Sequence, residues 1–505
     1  MKRFPDLRSF LDALDKLGDV KRINRMVSAD LEAAAITRRC LETDSPAPLF
    51  ESIEGVAPGF RLLGASAALS SVPGKPFARL ALALGLPAEA TAAELVEHVL
   101  ATAERPPVAP KLVESDAAPC KQNILLGDEA TLDKFPIPKL HQHDGGKYLN
   151  TWGIVITRTP DGSWTNWGIS RMMMIDGRHF TGQVAVPQHL GLIYEQWAAL
   201  GRPMPFAIVQ GGDPAIPFSG GIPLGDTGVP LAQRRLGTFS APVDEAGWVG
   251  ALTGEPVELV KCETVELEVP ATAEVVIEGF VAPERTEPEG PFGEFPGYAD
   301  WSAPVAEQLK PRFTITAITH RDDPIWPIVP EGRPVDEDHT VTGVGYSAEI
   351  LGALRKAGLP ITTVWMPLRM AAHWAIVIVP RDWRTTLPGT DSGQLAQRVA
   401  EVLNTVRSGR FVAQVVLFDD DIDPSDDTDL LWAIGTRTHP LLRTYESQGL
   451  VYPMLTCYTA EERATLLGSV VVRDALLPNG PIEHSSFAQA YPLEIQQRVL
   501  AHWDD

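Results

Sequence analysis

Two different spacings of apolar residues divide this chain. Phe10, Leu11, Leu14 and Leu17 recur at helical spacing and mark the buried stripe of an amphipathic helix. LEAAAITRRCLE, residues 31–42, reads as a second helix. From about residue 147 the pattern changes. YLNTWGIVITRT, SWTNWGI, VELEVPATAEVVIEGFVAP and PRFTITAITHR are rich in aromatic and β-branched residues and are bounded by Gly, Pro and Asp, so strands are expected there. The last third alternates again. QLAQRVAEVLNTV places Leu395, Val399, Val402 and Val406 on one helical face, FVAQVVLF reads as a buried strand, and SDDTDLLWAI as a helix capped by Ser425. Residues 101–120, rich in proline and alanine, are expected to be a linker, and DDPIWPIVPEGRP (322–334) closes the β-rich region.

These elements predict an α/β (α+β) protein in three parts, 1–115, 116–325 and 326–505, in keeping with the length of 505 residues. The composition is that of an ordinary globular protein, 44% hydrophobic and 21% charged. A net charge of -22 argues against a nucleic-acid partner, which needs a basic surface. An acidic protein that binds a phosphorylated ligand needs a metal or local arginines to offset repulsion. Cys40, Cys120, Cys262 and Cys457 are far apart in sequence and form no C-x-x-C pair. The first residues read as an amphipathic helix rather than an export signal, and no apolar run has the length of a membrane span. The expectation is a soluble cytoplasmic protein with no membrane partner.

Several motifs are absent: G-x-S-x-G, the P-loop and H-E-x-x-H. GVGYSA (343–348) mimics a dinucleotide fingerprint, but it follows VDEDHTVT rather than an apolar strand. DDDIDPSDDTD has the charge of a calcium loop without its central glycine and terminal glutamate, and reads as a solvated helix entry. His141 and His143, an isolated H-x-H, read as incidental.

EPEGPFGEF (287–295) holds Glu289 and Glu294 on a loop punctuated by Gly290, Pro291 and Gly293. Alone, it could be a solvated turn or an acid/base pair. A dispersed set has the same ambiguity: Asn166 suits a turn, His189 a satisfied core histidine, Glu245 a surface. Together they offer an amide oxygen, an imidazole and a carboxylate, a mostly hard donor set suited to Mn²⁺ or Mg²⁺ with positions open to phosphate.

LEAAAITRR, DGGKY, TNWGISR, VPQH, DEAGWVGALTGEPVELVKCET, VPATAE and PEGPFGE run in this order through nearly the whole chain. In them the sequence resembles the UbiD-type decarboxylase family, most closely its fungal ferulic (cinnamic) acid decarboxylases. The resemblance implies a central split β-barrel that binds prenylated FMN, with a C-terminal α/β oligomerisation domain ending in a helix and a homodimer or higher assembly. It implies Mn²⁺ held by Asn166, His189 and Glu245, with K⁺ near the Trp167 carbonyl. Arg171, Glu289 and Glu294 match the family's catalytic network. Thr151, Asn166, Trp167, Gly168, Ile169, Ser170, Arg171, Gln188, His189, Glu245 and Arg407 are the cofactor contacts it implies, Arg407 standing where the family often has lysine. A flavin prenyltransferase would supply the cofactor.

The implied reaction is reversible, non-oxidative decarboxylation of an aromatic, heteroaromatic or α,β-unsaturated acid through a covalent substrate–cofactor adduct. No side chain supplies the required electron sink, so a cofactor must. Glu294 is the expected proton donor, its pKa raised toward roughly 6–7 by an apolar pocket. Arg171 would engage the substrate carboxylate, and Glu289 would offset its charge. Ala185 stands where the fungal relatives carry isoleucine. With Gln188, Phe295, Tyr452, Met454 and Leu455, it is expected to line the substrate pocket and open it to a fused-ring acid such as phenazine-1-carboxylate. A cinnamate- or ferulate-type acid is the alternative. Two departures stand out: residues 225–242 form a longer loop than the family's, and Gly168 replaces an expected serine. A non-catalytic flavin binder and a metal-dependent hydrolase are the rival readings.

Overall fold

The computed structural model describes residues 3–186, 188–224, 243–299, 308–477 and 482–503. The long loop 225–242 lies outside the described residues. Among those described, the strands form four sheets.

The first sheet runs Val20–Ile23, Ala47–Phe50, Arg61–Gly64 and Ile325–Ile328, the last strand arriving from far along the chain to pair in parallel with Arg61–Gly64. The helices Leu7–Lys16 and Glu32–Glu42 accompany it; Asp6 caps the former through the Ser9 backbone N–H, and Phe10, Leu11 and Leu14 are buried.

The central sheet is antiparallel and curled. Its strands follow the order Tyr148–Asn150, Met172–Met174, His179–Gly182, Lys310–His320, Val275–Glu287, Met204–Gln210, Ile154–Arg158 and Thr165–Ile169, with Asn123–Leu126 also paired to Lys310–His320. The long Val275–Glu287 and Lys310–His320 ribbon carries bulges, the first between Glu278 and Gly279. A Cβ at Gly279 would stand 1.9 Å from the Thr314 carbonyl oxygen, so only glycine fits that bend. Phe180, Phe206 and Phe313 pack together in one buried cluster, with ring centroids 4.8–5.4 Å apart.

The third region contains the sheet Thr363–Trp365, Trp374–Val379, Gln414–Asp419, Leu467–Asp474 and Thr444–Leu450. Its core strands pair in parallel, and the helix Ser392–Leu403 packs on it with Leu395 and Val399 fully buried. The helix Glu337–Lys356 bridges this region and the central sheet. The expected three-part α/β architecture is therefore present.

Several local expectations need correction. Residues 101–120 are not a free linker: the helix Ala92–Ala103 enters them, and Lys111–Leu112 pairs with Glu258–Lys261 in a small sheet. Val108, Lys111 and Val113 all donate backbone hydrogen bonds to the 247–259 segment, so the proline-rich stretch serves as an edge strand. The cap of helix Asp427–Arg437 is Asp426 rather than Ser425, because its carboxylate accepts from both Thr428 and Asp429. Val406 falls beyond the helix that ends at Leu403. No described helix is long and apolar enough to cross a membrane.

Candidate active site

Arg171 follows the strand Thr165–Ile169, where the chain turns back into Met172–Met174. The turn is pinned twice. Asn150 donates to the Ser170 carbonyl (2.8 Å), and Ser170 Oγ donates to the Gln183 carbonyl (2.7 Å). The guanidinium reaches Glu289 in a two-point contact, Nε to Oε1 at 2.9 Å and Nη2 to Oε2 at 3.1 Å. Its Nη1 donates to Glu294 Oε1. Tyr148 adds a hydroxyl bond to Glu289 at 2.9 Å, and Arg171 lies over the Phe292 ring at 5.0 Å.

The loop between the glutamates is a built object. Gly290 has φ +88°, and a Cβ on Gly145 would stand 2.1 Å from the Gly290 carbonyl oxygen, so two glycine backbones touch there. Gly145 donates to the Pro291 carbonyl and Gly293 donates to Asp144. The EPEGPFGEF stretch is therefore not a solvated turn.

Glu289 is only 3% exposed. Burial pushes the Glu294 carboxyl above its ordinary value although the Arg171 charge opposes this. Burial disfavours the Arg171 cation, yet Glu294 and Glu289 outweigh that and hold it charged. Nearby, burial lowers the Lys310 ammonium to about 8 against the attraction of Glu289.

Beyond Phe295 opens a cleft lined by Trp152, Trp167, Glu245, Tyr346 and Arg407 among others. Asn166 and His189 meet on its wall, Oδ1 to Nδ1 at 3.0 Å, and Arg407 approaches the other His189 nitrogen at 3.4 Å. Glu245 opens the helix Glu245–Thr253, which Asp244 caps, and its Oε2 accepts from the Trp167 backbone N–H at 3.3 Å. Desolvation pushes this carboxyl up to about 8, so a cation beside it would relieve a real cost. Among the described residues no three His, Cys, Asp or Glu side chains converge as a metal cluster. The available set is one imidazole, one carboxylate and one amide, facing a cleft that also carries Arg407 and Arg410. Such donors fit a divalent cation bridging to a phosphate. A Cβ at Gly220 would sit 3.4 Å from Gly168 Cα, so the two backbones lie close together there. Gly168 thus offers close approach where a serine would offer a hydroxyl.

The structure gathers Asn166, Trp167, Gly168, Ile169, Gln188, His189, Glu245, Arg407, Phe295 and Tyr452 on this cleft. Among the described residues, Gln188 Oε1 has no hydrogen-bond partner there although it is buried. Other expected contacts fall elsewhere. Thr151 is buried and accepts the Val329 backbone N–H at 2.9 Å, and Ser170 is spent on the turn described above. Ala185, Met454 and Leu455 do not line the cleft. A Cβ on Gly191 would stand 2.4 Å from the Ala185 carbonyl, so that backbone is packed against a helix; Met454 Sδ lies 3.3 Å from the Tyr452 hydroxyl. Sequence reasoning missed Trp152, Asp338, Thr342, Tyr346, Arg410 and Phe411. Asp338, Thr342 and Tyr346 repeat every four residues on helix Glu337–Lys356, so helical periodicity carried a signal for them.

Family models match along this same chain. The 3-octaprenyl-4-hydroxybenzoate carboxy-lyase Rift-related domain covers residues 111–334, with the corresponding N-terminal domain at 11–99 and C-terminal domain at 339–466. The chain belongs to the UbiD family of carboxy-lyases. It is 38% identical to pyrrole-2-carboxylic acid decarboxylase of Pseudomonas aeruginosa, over 99% of this chain and 98% of that one. It is 33% identical to ferulic acid decarboxylase 1 of Saccharomyces cerevisiae, over 99% and 97%. The bacterial enzyme thus exceeds this fungal one in identity. Among solved structures, vanillic acid decarboxylase of Sedimentibacter hydroxybenzoicus in its open form superposes with a TM-score of 0.80 at 25% identity, covering 100% of this chain and 99% of that one. An evolved dimeric UbiD-class enzyme from Pelotomaculum thermopropionicum, in complex with prenylated FMN, gives 0.76 at 25% identity over 97% and 100%.

Proposed function

We propose that this carboxy-lyase uses prenylated FMN to decarboxylate an aromatic or heteroaromatic acid. The observation that carries the reading is Arg171 clamped between Glu289 and Glu294 beside a cleft bearing Asn166, His189 and Glu245. When bound, the cofactor supplies the electron sink for the pair left on carbon as CO₂ departs. Asn166, His189 and Glu245 would hold Mn²⁺ against its phosphate, Arg407 would add charge to that end, and the Trp167 carbonyl would face K⁺. Arg171 gives three of its five N–H groups to the glutamates, leaving one on each terminal nitrogen for the substrate carboxylate. Glu289 keeps the guanidinium in plane and balances its charge. Glu294 carries a proton at its carboxyl and delivers it to the ring or vinyl carbon, and burial supports that protonated form.

Phe295, Tyr452, Phe411 and Tyr346 form a run of aromatic rings at 4.7–5.7 Å, which favours a flat substrate. Protein made with a flavin prenyltransferase should release CO₂ from members of a panel of pyrrole-2-carboxylate, cinnamate, ferulate and phenazine-1-carboxylate. Flavin absorbance without CO₂ from any aromatic acid would favour a non-catalytic binder, and hydrolysis without flavin would favour the metal hydrolase. Besides the aromatic wall of Phe295 and Tyr452, the fused-ring preference rests on the small Ala185 side chain, which does not line the cleft. If that side chain sets ring size, Ala185→Ile lowers kcat/KM for phenazine-1-carboxylate about tenfold or more relative to pyrrole-2-carboxylate. An unchanged ratio between the two acids removes the fused-ring proposal.

His189→Ala and Glu245→Ala should each lose metal and flavin together, by about tenfold or more, the scale reached even when a metal ligand merely loses its hydrogen-bond partner. Elemental analysis and the flavin spectrum of purified protein read both. Full flavin occupancy without metal would refute the bridging role.

We place the domain boundaries near 115 and 325, because at 325 the chain leaves the central sheet for the first one. Tyr491, Leu493, Leu500 and Trp503, apolar and exposed at the carboxyl end, support docking of a second copy, which light scattering would detect.

A further inference from the structure

A buried imidazole ties the peptide that follows Glu294 to the third region of the molecule. Locally the loop closes on itself, with Glu294 N–H donating to the Tyr298 carbonyl at 3.3 Å and Gly297 N–H donating to the Glu294 carbonyl at 3.0 Å. These bonds shape the turn without saying where it points. His339, in the first turn of helix Glu337–Lys356, is fully buried and lies 2.7 Å from the Phe295 carbonyl oxygen through Nε2. A carbonyl oxygen only accepts, so Nε2 carries the hydrogen whatever the charge of the ring. The other nitrogen, Nδ1, lies 2.7 Å from Asp336 Oδ1 and 3.0 Å from the Asp336 backbone nitrogen, and these two contacts fix the plane of the imidazole.

The anchor continues outward. The Asp336 carboxylate takes the Gly332 backbone N–H and Arg38 Nη1, each at 3.1 Å. Burial pushes this carboxyl up, but His339 and Arg38 outweigh it and hold it below its ordinary value. Arg38, on helix Glu32–Glu42, also donates to the Pro330 and Arg333 carbonyls. A Cβ on Gly297 would stand 3.2 Å from Arg333 Cα, so the turn also rests on this segment. A continuous set of hydrogen bonds, centred on the buried His339 and Asp336, therefore runs from the first sheet's helix to the peptide that follows Glu294.

We propose that His339 is a positioning residue for decarboxylation: its Nε2–H holds the peptide after Glu294 and so sets where the glutamate carboxyl points. The inference rests on Glu294 being the proton donor. Misplacing a reacting group by about 1 Å costs on the order of 10²-fold in rate. His339→Phe keeps the volume and removes the donor. In cofactor-loaded enzyme it should lower kcat by about 10- to 100-fold, leave KM within about twofold and leave flavin content unchanged. His339→Gln restores an N–H near the Nε2 position and should recover kcat to within about threefold of wild type. Hydrogen–deuterium exchange supplies a readout apart from turnover: amides of residues 294–297 should exchange faster in the Phe variant and regain protection in the Gln variant. The proposal is overturned if His339→Phe keeps wild-type kcat, if Gln is as impaired as Phe, or if the loss tracks loss of flavin or of folded protein. Failure of the underlying reading looks different, since Glu294→Gln would then remain active.

Discussion

Glu294→Gln should lose about 10²- to 10⁴-fold in CO₂ release while binding cofactor normally. Glutamine keeps the length and shape of the side chain and still accepts from Arg171, so the loop and the guanidinium stay in place. What it lacks is an acidic proton. The wild-type carboxyl sits beside Phe295 and the aromatic cleft, where burial favours its neutral form. That environment makes it a usable acid near neutral pH, whereas an exposed glutamate would be ionised. The check is CO₂ release from purified, flavin-loaded variant with its spectrum recorded beside wild type. Turnover near the wild-type rate would remove Glu294 from the proton-donor role and leave the Arg171 cluster as a binding site only.

The parts of this molecule that were legible in sequence are those set by short-range physics. The Phe10–Leu14 stripe, the strand-rich centre and the Leu395–Val399 face all appear where their spacing puts them. The strand Ile325–Ile328 was not legible, because its pairing with Arg61–Gly64 depends on partners far away in the chain. Residues 101–120 misled for a related reason: proline suits a linker and an edge strand equally. The helix Glu337–Lys356 was obscured by Gly343 and Gly345, which weaken a helical pattern and mimic a nucleotide loop. In the fold these glycines admit neighbours. A Cβ at Gly343 would meet Leu368 at 2.1 Å, and one at Gly345 would meet Ile222 at 2.2 Å. The helix they belong to carries Asp338, Thr342 and Tyr346 into the cleft, so losing the helix also lost part of the site. Glu289 and Glu294 were readable because loop and partner motif lie in compact segments. Ala185 shows the limit of position matching, since an aligned place does not reveal which way a side chain faces.

Arg171→Met should cost both activity and stability. The guanidinium makes three charge-assisted contacts with the two glutamates, and its side chain is only 10% exposed. Methionine fills much of the volume but leaves the buried Glu289 carboxylate without its cation, beside the Glu294 carboxyl. Removing one partner of a buried ion pair costs about 3–5 kcal/mol, largely because the remaining charge is uncompensated. Activity should fall by about 10²- to 10⁴-fold, the equivalent of two lost charge-assisted hydrogen bonds to the substrate carboxylate at about 1.5–3 kcal/mol each. Arg171→Lys should fall between, since it keeps the charge without the planar fork. The stability loss carries a sign with pH. Without the arginine, whose charge opposes the upward push of burial, the folded-state pKa of the Glu294 carboxyl rises further above the unfolded value near 4.3. A carboxyl raised in the folded state leaves stability intact below its unfolded pKa and removes it as pH rises toward the folded value, where only the unfolded chain ionises freely. The gap in melting temperature between wild type and Arg171→Met should therefore narrow as pH falls from about 7.5 toward 5, the range just above that unfolded value. A gap that stays constant over that range, or a variant as stable as wild type at pH about 7.5, would mean that the cluster does not hold its glutamates through charge.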